Sequence, residues 1–211
     1  DRRRGSTTRV TQDEVAFGVA WHPDGRSLAI VHPTKDSAGI FLKPLDGRER
    51  LLATVPPGAF IRSLAWSPDG SQLAYTVQTG FLHDIWILTM GDPPVTKPFL
   101  SRPASEYSPA FSPDGRWLAY VSDESGRAEV YLQPYPAGER FAVSTAGGSG
   151  PVWRRDGKAL LYQGVDTGVL KMMAVEVTPD GASLALGRPT ALFDQRVRGG
   201  SGAAEQYMQS G

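Results

Sequence analysis

The chain is punctuated by short runs of consecutive apolar residues. Leu118-Ala-Tyr-Val121 is the cleanest, and Leu28-Ala-Ile-Val31, Leu73-Ala-Tyr-Thr76 and Leu160-Leu-Tyr-Gln163 are its counterparts. A strand with one wet face alternates apolar and polar positions, whereas a continuous run of strand length is covered on both faces. Ahead of each run stands a tight turn preceded by an aromatic residue: Trp21-His-Pro-Asp-Gly, Trp66-Ser-Pro-Asp-Gly, Phe111-Ser-Pro-Asp-Gly and Trp153-Arg-Arg-Asp-Gly. Proline presets φ at the first corner, aspartate bonds nearby backbone, and glycine takes a positive φ without steric cost. Each unit therefore opens as a β-hairpin.

The turn aspartates Asp24, Asp69, Asp114 and Asp156 are 45, 45 and 42 residues apart. A second marker keeps nearly the same step: Ile40-Phe-Leu42, Ile85-Trp-Ile87, Val130-Tyr-Leu132 and, in altered form, Leu170-Lys-Met172. A period of 40–45 residues with four strands per unit is the signature of a propeller blade. A β-sandwich is the alternative, but it predicts alternation and no such period. Ala29, Ala74 and Ala119 share one position, where a small side chain lets neighbouring sheets approach; Leu161 breaks that pattern.

The expected fold is all-β, a β-propeller of four-stranded antiparallel blades. About four blades are present, at about 15–55, 60–100, 105–145 and 150–194, in an incomplete ring or fragment. In the third unit, strands are expected at about 107–111, 117–122, 128–134 and 139–144. Residues 1–14 read as the outer strand of a preceding blade and 195–211 as a frayed tail. Thr178-Pro-Asp-Gly repeats the turn only 24 residues after Asp156. It is assigned to the interior of the fourth blade, with Arg188-Pro-Thr-Ala-Leu-Phe193 as the outer strand.

Composition narrows the chemistry. Twenty-two basic residues balance 22 acidic ones, which argues against a broad nucleic-acid or anionic-lipid surface. There is no cysteine, so disulfides, thiolate zinc sites and cysteine nucleophiles are excluded. No apolar run approaches the length that spans a bilayer. The opening Asp1-Arg-Arg-Arg4 reads as a mature or excised end, and the basic triplet as a solvated tip.

No catalytic constellation emerges, so no catalytic, cofactor-binding or metal residue is assigned and no cofactor is expected. His22, His32 and His83 lack the spacing of a metal site, and no nucleophile elbow or phosphate loop is present. Asp84 and Glu129 hold equivalent places, but Gly39 and Val169 hold them in the other units; a structural role is expected. The turn aspartates are assigned to folding, because each blade needs the same turn. Asp123, Glu124 and Arg127, in a polar loop of the third unit, are the residues to scan for partner contacts.

The hairpins from Trp66 to Tyr75 and from Phe111 to Tyr120 resemble the TolB-type WD-like propeller repeat nearly throughout. Trp21 to Ile30 departs at His22, and Trp153 to Tyr162 at Arg154, Arg155 and Leu161. Glu106-Tyr-Ser-Pro-Ala-Phe and Met173-Ala-Val-Glu-Val177 look most like propellers that follow the kinase domain of bacterial serine/threonine kinases. The resemblance implies a non-catalytic binding or sensor module. Its partner would be a protein, peptide or small ligand at the funnel mouth, with self-association through open blade faces and a periplasmic or extracytoplasmic setting. Related repeats form the gating propeller of tricorn-like and prolyl-oligopeptidase-like peptidases, which is the second reading.

Overall fold

The computed structural model describes residues 18–166, 168–180 and 183–194; the predicted outer strand at 1–14 and the tail at 195–211 lie outside them. The described residues form strands and no helix, in four antiparallel sheets. The first sheet contains β1 (Gly18–Trp21), β2 (Ser27–Pro33), β3 (Ala38–Pro44) and β4 (Arg50–Thr54). The second contains β5 (Ala59–Trp66), β6 (Gln72–Thr79), β7 (Leu82–Thr89) and β8 (Val95–Leu100). The third contains β9 (Glu106–Phe111), β10 (Trp117–Ser122), β11 (Glu129–Pro134) and β12 (Phe141–Ala142). Each pairs its strands in sequence order, and none closes on itself.

The fourth sheet adds an element. β13 (Gly148–Trp153), β14 (Ala159–Asp166), β15 (Val169–Asp180) and β16 (Ser183–Leu186) run in order, and β17 (Thr190–Asp194) also pairs with β15. The 12-residue β15 is shared. Its first half pairs with β17 as an ordinary outer strand, from Lys171↔Asp194 to Ala174↔Thr190. Its second half folds back on β16, from Val177↔Leu186 to Asp180↔Ser183. Thr178-Pro-Asp180 thus lies at the end of β15 within this sheet and begins no further blade.

Stacking follows from burial. On β10, every residue from Leu118 to Ser122 is fully buried, so both faces are covered. The first strand of each later blade packs on the blade before it: β5 against β1 and β3, β9 against β5, β6 and β7, and β13 against β9, β10 and β11. Three apolar layers fill the seams. Val31 and Ile40 meet Leu73 and Tyr75 in the first. Ile85 and Ile87 meet Leu118 and Tyr120 in the second. Val121 and Leu132 meet Leu160 and Val175 in the third.

The repeated turns explain themselves at atomic scale. Ser67 Oγ donates to Asp69 Oδ1 at 2.6 Å and accepts from Gln72 N–H at 3.0 Å. Ser112 does the same with Asp114 and Trp117, at 2.6 and 2.9 Å. Gly25, Gly70, Gly115 and Gly157 all take φ between 67 and 72°. The turns also stack along the row. A side chain at Gly115 or Gly157 would approach Pro68 or Pro113, and one at Gly70 would strike the His22 ring.

Candidate functional site

Strand direction defines two ends of the molecule. The Asp-Gly turns lie at one, the turn face. At the other, the connection face, lie the segments between blades and the loops joining second to third strands. Side chains that the repeat does not require collect on the connection face over the second and third blades.

The sequence-predicted loop residues are committed to holding that face together. Asp123 Oδ1 accepts Ser105 N–H at 2.8 Å, joining the loop to the start of its own blade. Glu124 pairs with Arg102 at 3.6 Å and with Arg140. Arg127 donates to Glu129 at 2.6 Å and to the Thr145 carbonyl. Glu129 is buried and also accepts from Ser144 Oγ and Gly147 N–H. It ties β11 to the segment leading into the fourth blade, the structural role expected of it. A cavity of about 330 Å³ opens beside these groups, lined by Gly126, Arg127, Glu129, Tyr131, Ser144 and Thr145. Ser144 has a carboxylate partner but no histidine, which leaves it without the base that a nucleophilic serine uses.

The second blade presents different chemistry. Phe60 is 54% exposed on the first strand, and Phe81 is 97% exposed at the tip of the β6–β7 turn, one residue before β7 starts. The Arg62 guanidinium lies 5.1 Å from the Phe60 ring centre, and its Nε donates to Gln78 Oε1 at 2.6 Å. Gln78 pairs across the sheet with His83, whose ring lies 5.4 Å from that of Tyr107 on the third blade. Burial, reinforced by the nearby Arg62 charge, holds the His83 pKa below its usual value. Among the described residues Arg62 has no carboxylate within ion-pair distance.

None of these residues is needed to build a blade. Where the second blade has Phe60, Phe81 and His83, the third has Ser105, Gly126 and Ala128. In the fourth, strand pairing places Lys171 rather than Val169 at the position of Glu129, two residues from the spacing-based reading, and so puts Gly147, Gly168 and Leu170 at these places. A search for repeats passes over such positions; the signal lies in subtracting one unit from another. Asp84, at the place equivalent to Glu129, lies on β7 facing the third blade's acidic and basic groups and, among the described residues, makes no hydrogen bond or ion pair like those of Glu129.

The histidines stay apart. His22 bonds to Gly70 O at 3.2 Å on the turn face and meets Trp66 edge-on. His32 stacks on Phe41 and pairs with Glu49. Among the described residues no group of three His, Asp or Glu could hold a metal ion.

A search of curated proteins found no match. Solved structures share the fold. TolB from Acinetobacter baumannii superposes with a TM-score of 0.65 at 18% identity, over 84% of this chain and 44% of its own. Oligogalacturonate lyase from Vibrio parahaemolyticus gives 0.64 at 12%, over 84% and 54%. A puromycin-hydrolyzing peptidase of Mycobacterium tuberculosis gives 0.58 at 22%, over 75% and 29%. The chain thus spans about half or less of the length of each. Residues 6–187 match the TolB beta propeller domain, and with the stacked blades described above, the chain belongs to that family.

Proposed function

We propose that this propeller is a non-catalytic binding module whose contact surface is the connection face over the second and third blades. The observation that carries this reading is the exposed, repeat-independent set of Phe60, Arg62 and Phe81. Exposed phenylalanines beside an arginine are residue types enriched at interfaces relative to the rest of a protein surface. Phe81 projects from a turn tip, so covering it requires a hollow in a partner; this favours a protein or peptide over a small molecule lying in a cavity. Attachment to a bacterial serine/threonine kinase as its sensor segment rests on the likeness of the Glu106–Phe111 and Met173–Val177 stretches to such propellers.

Titration of isotope-labelled chain with peptides and oligosaccharides tests the surface. Perturbed amides should cluster around Phe60, Arg62 and Phe81, and Phe81→Ala with Arg62→Ala should weaken binding at least tenfold. Perturbations confined to the Asp-Gly turns would remove the proposal. A second reading, the gating propeller of a serine peptidase, is favoured by the likeness to the mycobacterial peptidase. The neighbouring reading frame separates them: a kinase domain upstream supports the sensor, and an α/β-hydrolase domain downstream supports the peptidase.

A further inference from the structure

Glu106 opens β9 inside the seam between the second and third blades. It is 0% exposed, and neither carboxyl oxygen has a hydrogen-bond partner. The blade does not require an acid here. Glu106 pairs with Ser122, and the matching pairs are Ile61 with Val77 in the second blade and Gly148 with Gly164 in the fourth.

Charged and titratable groups face Glu106 from β7, from β10, from the segment before β9 and from the β10–β11 loop, whereas among the described residues none on β5, β6 or β13 acts on it. β7 supplies Asp84, the segment before β9 supplies Arg102, and the β10–β11 loop supplies Glu124. β10 supplies Tyr120, whose buried hydroxyl interacts with the Arg140 guanidinium. Arg102 and Arg140 both pair with Glu124, so they strap the segment entering the third blade onto that blade's loop. Removal from water pushes the Glu106 pKa up to about 7; the Arg102 charge and, beyond strict hydrogen-bond geometry, the Arg102 backbone N–H oppose this, while Asp84 and Glu124 add to it. A carboxylate sealed from water without partners is strongly disfavoured, whereas the neutral acid is tolerated at lower cost.

We propose that Glu106 is a proton-operated latch: protonated, it lets the second and third blades close over it, and ionised, it draws the seam toward water and loosens the Arg102–Glu124–Arg140 strap. The closed seam holds the proton more tightly than the open one. The closed state is therefore fully favoured below the ordinary glutamate range, loses ground as pH rises toward 7, and levels off above it. The latch does not depend on what the connection face binds.

Carbon-detected NMR of glutamate-labelled chain gives the Glu106 midpoint directly, and hydrogen exchange of the Ser105, Glu106 and Tyr107 amides gives the opening. After correction for intrinsic exchange, opening in the wild-type chain should increase by up to about tenfold per pH unit between about pH 5 and 7. Glu106→Gln and Glu106→Ile, the latter restoring the residue of the neighbouring blade, should abolish that dependence. A Glu106 midpoint below about 5.5, or the same exchange profile in wild type and Glu106→Gln, would overturn the latch. Should both variants fail to fold, the wild-type measurements decide: a midpoint near 7 coinciding with opening supports it, and an ordinary midpoint sinks it.

Discussion

At the scale of single residues, the Ser-x-Asp turns convert a recurring sequence into a recurring charge state. Hydrogen bonds from Ser67 and from Ser71 lower the Asp69 pKa. Burial pushes Asp114 up, but bonds from Ser112 and Arg116 outweigh it and the net shift is downward. Depressed carboxylates contribute stability above their ordinary range and lose it as pH falls below about 4. With Glu106 acting in the opposite direction on the neutral side, thermal stability should peak between about pH 4 and 5, and Glu106→Gln should extend the plateau upward. Melting curves across pH would check this; a wild-type profile flat from pH 5 to 8 would contradict it. Gly115 supplies a separate test. Its φ of 72° is hostile to a β-branched side chain, although a Cβ there would make only ordinary contact with Pro68, at 3.6 Å. Gly115→Val should therefore cost about 1–3 kcal/mol through backbone strain, read by denaturant unfolding, with no change in fold.

At the scale of elements, the hairpins were legible because turn chemistry and a two-faced apolar run coincide in them. The run at Leu118–Val121 stated that both faces are covered, and all four residues are fully buried. Outer strands were less legible. They are half-exposed and carry little pattern: β12 shortens to Phe141–Ala142, where a longer strand was expected, and every residue of β17 is exposed. The Thr178–Leu186 segment was placed by spacing, and packing now explains it, since Leu184 is buried in the layer between the third and fourth blades. Leu184→Ala should cost about 2–3 kcal/mol as a core truncation, whereas Phe193→Ala on exposed β17 should stay within about 0.5 kcal/mol. Equal effects would mean that the β15–β16 hairpin is only an appendage. The candidate surface escaped sequence reasoning for a physical reason. Phe60, Arg62 and Phe81 touch little, so no periodic constraint acts on them, and Glu106 replaces an apolar residue without disturbing the strand around it.

At the scale of the molecule, each seam is built by an aromatic residue lying on the preceding blade. Trp66 is 9% and Phe111 8% exposed, and Trp153 donates its indole N–H to Ala110 O at 3.2 Å. Trp21 holds the same position in the first blade yet is 55% exposed, beside Val19 at 49%. Trp66→Ser should cost about 3 kcal/mol or more, while Trp21→Ser should leave denaturant unfolding nearly unchanged. Equal losses at Trp21 and Trp66 would show that the first blade's tryptophan is packed like its counterparts.

The row of stacked turns has a consequence for how such a chain grows or shrinks. Between the second and third blades, and again between the third and fourth, a proline of one turn lies against the glycine of the next. These two joints are interchangeable, so a duplicated third blade would find the same fitting on both sides. The first joint is keyed differently, by an imidazole that occupies the space over Gly70 and bonds to its carbonyl. The second and third blades thus share one turn fitting, and the first carries a connector cut for a single neighbour.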